Sequence, residues 1–228
     1  MLEVKDVSYT YRSKYQTIEA VKHVTCDFCT GRLYAVMGPS GSGKSTLLSL
    51  LAGLDLPTSG EILVEGSDIA SMDRDHYRRE TASVVYQSFN LFPLLTALEN
   101  VMYPLELQGI KKTEAVKTAK RLIMEVGLGE KTYKQFPVAM SGGEQQRIAI
   151  ARALAAGGKI LLADEPTGNL DSVNEANIVE LLKKLAHDRG YLVIVITHNQ
   201  YVGSQADVIY WMRDGQLTLD SAAGRIQV

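Results

Sequence analysis

Apolar and polar positions alternate along residues 2 to 11 and again along 18 to 28, so the chain opens with two antiparallel strands that each keep one wet face. RLYAVM (32–37) predicts a short buried strand running into a glycine-rich loop, and KSTLLSLLAG (44–53) the helix leaving it. EILVEG (61–66) and ASVVY (82–86) return to strand character. From about 94 to 156 the pattern turns helical, with TEAVKTAKRLIMEVG (113–127) amphipathic and Gly127 placed as a C-terminal cap. KILLAD (159–164) and YLVIVIT (191–197) are almost wholly apolar, as strands covered on both faces of a parallel sheet must be. Residues 173–190 read as the crossover helix between them, and VIYWMRDGQLTLD (208–220) as a hairpin around Asp214-Gly215. With no repeat, linker or low-complexity run, residues 1–228 form one α/β domain carrying a helical insertion at about 87–157.

Charge narrows the partners. Lys plus Arg number 24 against 26 Asp plus Glu, a net charge of −2, so no basic stripe favours nucleic acid. No apolar run reaches the roughly 20 residues that span a bilayer, and MLEVKDVSYTY lacks the layout of a secretory signal. A cytoplasmic protein is expected, with any membrane role exerted through a partner. Cys26 and Cys29 form a CxxC, but within a strand they face opposite ways and only His23 lies nearby as a further ligand. The spacing is read as structural, two small residues in a reducing compartment.

The chemistry begins at Gly38-Pro-Ser-Gly-Ser-Gly-Lys-Ser-Thr46, which satisfies G-x-x-x-x-G-K-[ST] between a strand and a helix. Gly38, Ser40, Gly41, Gly43 and Thr46 shape a phosphate cradle. Lys44 neutralises phosphate oxygens, and the Ser45 hydroxyl suits a magnesium ion. ILLADEP ends a buried strand in two carboxylates, Asp164 for the metal shell and Glu165 for polarising a water. Gln87 and His198 follow other strand ends: the Gln87 amide oxygen can reach metal or water, and His198 either contacts a γ-phosphate or is simply solvated. Tyr11 offers a stacking surface for adenine, with Tyr9 its rival. The apolar run SFNLFPLL (88–95) leaves two readings open, burial in its own domain or a groove for a partner helix. A second anion-ready helix start, AMSGGEQQRIAIARAL at 139–154, has no evident partner in the same chain.

Taken together and in this order, these motifs resemble the nucleotide-binding domain of an ABC transporter over essentially the whole length. The P-loop at 38–46, Gln87 as Q-loop, the signature at 140–144, the Walker B end at Asp164 and Glu165, a D-loop around Asp171 and a switch at His198 match the family's sequence of elements. PTGNLDS and SGGEQQRIAIARAL are most similar to the macrolide- and lipoprotein-export group, including antimicrobial-peptide resistance systems. The resemblance implies a P-loop NTPase (RecA-like) core with a mostly parallel sheet, an N-terminal antiparallel β subdomain and an inserted helical subdomain. It also implies Mg-dependent ATP hydrolysis, with Ser141, Gly142 and Gly143 binding the γ-phosphate held by a second subunit in a head-to-tail dimer. Two departures are Met140 for the usual leucine and Glu144 for the commoner glutamine; the latter favours the helix start but repels a nearby phosphate.

On this reading the chain is an ATPase motor serving a separate transmembrane permease at the inner face of the membrane, with ATP and Mg²⁺ as cofactors and no nucleic-acid partner. The alternative is a non-transporting ATPase of the same family that drives a membrane protein regulating cell-wall enzymes.

Overall fold

The computed structural model describes residues 1–220. Strands β1 (Leu2–Arg12) and β2 (Thr17–Phe28) pair antiparallel, and β3 (Arg32–Met37) leads through the glycine-rich loop into helix α1 (Lys44–Leu51). Then come β4 (Ser59–Val64), β5 (Ser67–Asp68), α2 (Arg74–Glu80) and β6 (Ala82–Tyr86), followed by three helices, α3 (Ala97–Leu107), α4 (Lys112–Glu125) and α5 (Gly142–Ala155). The chain closes with β7 (Ile160–Asp164), α6 (Ser172–His187), β8 (Leu192–Thr197), α7 (Gln200–Ser204), β9 (Val208–Arg213) and β10 (Gln216–Leu219).

Two sheets result. One is antiparallel, in the order β2-β1-β4-β5; the other runs β10-β9-β3-β8-β7-β6 and is parallel except for its edge strand β10. This is the P-loop NTPase architecture expected from the motifs. The register aligns Met37 with Thr197, and Tyr86 with Asp164 and Asp164 with Ile196, so four strands end along one sheet edge. That edge is where ligands meet open α/β sheets.

Packing explains the pattern. Leu47, Leu48, Leu50 and Leu51 of α1 are buried, each worth roughly 1.5–3 kcal/mol. Ile178, Val179, Leu182, Leu185 and Ala186 of α6 join a second core with β8 and with α3, α4 and α5. Thr96 and Ser141 start α3 and α5 with full capping boxes to Glu99 and Glu144.

Some expectations shift. The strand expected at 61–66 runs over Ser59–Val64, because Glu65 and Gly66 have φ of 50° and 81° and make a two-residue turn into β5. The polar stretch RDHYRRE carries too little periodicity to predict α2; its signal was Asp73, whose carboxylate caps Asp75 and His76. The hairpin at Asp214-Gly215 forms as expected.

Candidate nucleotide site

The aligned strand ends floor a cavity of about 820 Å³. Its walls include Tyr11, Ser40, Gly41, Gly43, Lys44, Ser45, Thr46, Gln87, Asp164, Glu165 and His198, together with Ile18 and Ala20 from β2. Eleven residues scattered over the sequence are thus brought to one place. Gly38 does not line the cavity, but its carbonyl accepts the Lys44 ammonium at 2.9 Å, and that of Pro39 does so at 2.8 Å. Gly43 is required on two counts: its φ is +106°, and a Cβ there would lie 2.2 Å from the Ala20 carbonyl oxygen.

Electrostatics follow burial. Desolvation pulls the Lys44 pKa down, and the Glu165 and Asp164 carboxylates push it back. Asp164 is raised by burial, a shift opposed by the hydrogen bond from Ser45 and reinforced by the charge of Glu165. The Ser45 hydroxyl lies 3.5 Å from Asp164 Oδ1. Glu165 adopts a left-handed φ of 47°; its Oε2 accepts from the Thr197 hydroxyl at 3.2 Å, and its Oε1 lies 2.7 Å from His198 Nδ1. The Ser45 hydroxyl, the Asp164 carboxylate and the Gln87 amide all line this cavity, a hard oxygen donor set that fits Mg²⁺, which prefers one or two carboxylates plus phosphates.

The two tyrosines separate. Tyr11 is 46% exposed on the cavity wall and its hydroxyl is 3.3 Å from Thr46 Oγ1, whereas Tyr9 packs against the core and meets Tyr11 edge-on at 4.9 Å. Neither cysteine is in a disulfide; Cys26 is buried, with its thiol pushed up to about 12 by desolvation, which makes it a poor nucleophile.

The signature residues Ser141, Gly142 and Gly143 are outside the cavity, at the start of α5. A Cβ on Gly143 would sit 2.3 Å from Asn174 Oδ1, so glycine lets α6 approach the signature closely. Asp171 caps α6, accepting from Asn174 N at 2.9 Å and from Asn174 Nδ2 at 2.7 Å.

The apolar loop divides between its two readings. Phe89 and Leu91 pack against the core while Leu94 is 87% exposed. Buried Asn100 anchors the loop, taking the Phe92 N–H at 2.8 Å and donating to the Phe92, Leu95 and Thr96 carbonyls. Beside it lies a groove of about 310 Å³ whose walls include Leu54, Tyr86, Phe92, Tyr103 and Arg152. Sequence reading missed Asn100, Thr197 and Arg152. Of these, only Thr197, directly before His198 at a strand end, carried a local signal.

This fold and cavity define a P-loop ATPase. Residues 21–168 match the family model described as ABC transporter, and the chain belongs to that family as one of its ATPase cassettes. It is 39% identical over 226 residues to the macrolide export ATP-binding/permease protein MacB of Shigella boydii serotype 4, spanning 98% of this chain and 35% of that one. The MacB of Brucella abortus is 42% identical over 224 residues, 97% of this chain and 34% of its own. The chain therefore spans about a third of the length of these curated relatives. Among solved structures, the dimeric ABC transporter cassette MJ0796 superposes with a TM-score of 0.87 at 40% identity, covering 95% of this chain and 96% of that one. Its dimeric post-hydrolysis form bound to ADP and Pi gives 0.88 at 39% identity, covering 96% and 98%.

Proposed function

We propose that this chain is the ATP-hydrolysing motor of an exporter, one ATPase domain whose inserted helical lobe spans about 87–157. The observation that carries the reading is Glu165, held by Thr197 and His198 in the same cavity that Lys44, Ser45, Asp164 and Gln87 line. Tyr11 offers its ring to adenine. The loop from Gly38 to Thr46 presents backbone N–H groups to the phosphates, and Lys44 leaves its two carbonyls for the β and γ oxygens. Ser45, Asp164 and Gln87 would hold Mg²⁺, which supplies charge neutralisation of the phosphates. Glu165 orders the attacking water and takes its proton, with Thr197 and His198 fixing the carboxylate. His198 then faces the γ-phosphate.

Ser141, Gly142 and Gly143 stand apart from the cavity, which favours their serving the nucleotide of a second copy in a head-to-tail dimer. The solved cassettes similar to this chain are dimeric, which supports a second copy as the partner. Among the described residues no helix is long and apolar enough to cross a membrane. The groove beside Phe92 and the exposed Leu94 suit a cytoplasmic helix of a membrane permease, placing the ATPase at the inner face of the membrane; the macrolide exporters similar to it favour outward transport. Nucleic acid has no part. Purified wild type is expected to hydrolyse ATP only with a divalent cation, and Lys44→Ala to lose both tight nucleotide binding and turnover. Undiminished turnover in that variant would overturn the site.

A further inference from the structure

Gln87, after β6, and Asn169, between β7 and α6, pair through their amides. Asn169 Nδ2 donates to the Gln87 backbone carbonyl at 3.1 Å, and Gln87 Nε2 donates to Asn169 Oδ1 at 3.3 Å. One fixed point decides the sense of both groups. A backbone carbonyl can only accept, so Asn169 must turn its NH₂ toward it. The Asn169 oxygen is then left facing the Gln87 side chain, which must answer with its own NH₂. Gln87 Oε1 is the atom outside the pair, on a side chain that lines the cavity with Ser45 and Asp164.

The surroundings reinforce the tie. A Cβ on Gly168 would lie 2.7 Å from Gln87 Nε2, so glycine there makes room for the amide. Both loops also meet at the signature: a Cβ on Gly142 would reach Leu170 Cδ2 at 3.3 Å, Phe89 Cζ at 3.6 Å and the Asn169 carbonyl at 3.7 Å. Arg152 holds the other end of the Gln87 loop, donating to the carbonyls of Asn90 at 2.7 Å and Phe89 at 3.1 Å.

We infer that Asn169 is a positioning residue that sets the amide of Gln87 so that its oxygen, and not its NH₂, is offered to the metal at the nucleotide site. A cation needs a lone pair, and an unpaired glutamine amide is free to turn its donors inward. Asn169 is absent from the cavity wall and acts through Gln87. The inference rests on the assignment of Mg-ATP to this cavity.

The test is a double-mutant cycle with Asn169→Leu, Gln87→Leu and both together, read by Mn²⁺ titration of the full chain with a non-hydrolysable ATP analogue, using electron paramagnetic resonance. Asn169→Leu is expected to weaken Mn²⁺ binding roughly tenfold, as loss of a residue behind a metal ligand does. Metal-free affinity for the analogue stays unchanged. Because the effect runs through Gln87, the double variant binds Mn²⁺ no more weakly than Gln87→Leu alone. Asn169→Asp keeps an acceptor for Gln87 Nε2 while losing the donor to the carbonyl, and falls between; it carries the test if Asn169→Leu does not fold. Additive losses, or unchanged Mn²⁺ affinity in both Asn169 variants, overturn the inference. Lys44→Ala in the same titration separates the two readings: retained analogue binding there overturns the site itself, whereas lost binding beside an unmoved Asn169 variant overturns only the role of Asn169.

Discussion

The Glu144 carboxylate accepts two hydrogen bonds from Ser141, one from its hydroxyl and one from its backbone N–H, both 2.9 Å long. The two Ser141 donors among those proposed for a partner's γ-phosphate are thus already held by an anion of the same helix. Glu144→Gln removes the charge and keeps one acceptor oxygen. A screened like-charge contact with the phosphate costs about 0.2–1 kcal/mol at each of the two sites of such a dimer, so the ATP-bound dimer of an otherwise hydrolysis-blocked protein is expected to form at roughly two- to thirtyfold lower concentration. Light scattering across a dilution series measures this, and a weaker dimer would sink the idea.

The same pair has a pH signature. The backbone N–H of Ser141 holds the Glu144 pKa below its ordinary value; burial opposes it, and the Ser141 hydroxyl with the charges of Lys131 and Arg147 adds to the lowering. Its contribution to stability is therefore present above the unfolded glutamate pKa of about 4.3 and lost as pH falls through the lower folded value. Below about pH 4.3 the difference in melting temperature between wild type and Glu144→Gln should shrink. A constant gap down to complete acid unfolding contradicts the assignment.

Glu165→Gln fits the same space but cannot take a proton from water. Turnover is expected to fall by at least about a hundredfold with nucleotide binding intact. Thr197→Val, which removes the donor to Oε2, should cost less, since His198 still holds Oε1. Steady-state hydrolysis beside nucleotide titration separates these effects; wild-type turnover in Glu165→Gln removes that residue from the mechanism.

Leu94 is the better probe of docking than Phe89. Phe89 has a φ of 61° and packs toward Gly142, so a charge there disturbs the signature itself, while Leu94 projects from a loop that Asn100 pins from behind. Leu94→Asp is expected to leave melting temperature and basal hydrolysis unchanged and to abolish stimulation by the membrane permease. Loss of the fold on circular dichroism would instead show that Leu94 packs within its own domain.

What sequence could and could not reveal divides along physical lines. The parallel strands were legible because burial on both faces leaves near-continuous apolar runs such as Leu192–Thr197. The phosphate loop was legible because its geometry tolerates few residue types. Helix α2 was not, since Tyr77 is its one buried residue and the rest of its surface is polar. The amide pair of Gln87 and Asn169 was also hidden: 82 residues separate its members, and neither belongs to a periodic pattern. PTGNLD marked the place of Asn169 but carried no sign of its partner.

The separation of the signature from the cavity yields the most direct test of the dimer. If Ser141 serves a partner's nucleotide, it contributes nothing to nucleotide bound by its own chain, whose site is built by Tyr11, Lys44 and Ser45. Ser141→Arg loses an N-cap hydroxyl, at about 1 kcal/mol, but keeps the backbone N–H that Glu144 accepts, so helix α5 should survive. In dilute solution, where dimers are negligible, affinity for a fluorescent ATP analogue is expected to match wild type. Combined with Glu165→Gln at high concentration, the same change should abolish the ATP-bound dimer, because the guanidinium fills the space a γ-phosphate must enter. Its positive charge would partly offset the clash, so Ser141→Trp serves as the uncharged version. A dimer that persists with both variants removes Ser141 from the interface. A folded monomer that loses ATP binding places the signature on its own chain's nucleotide, and the head-to-tail arrangement then fails.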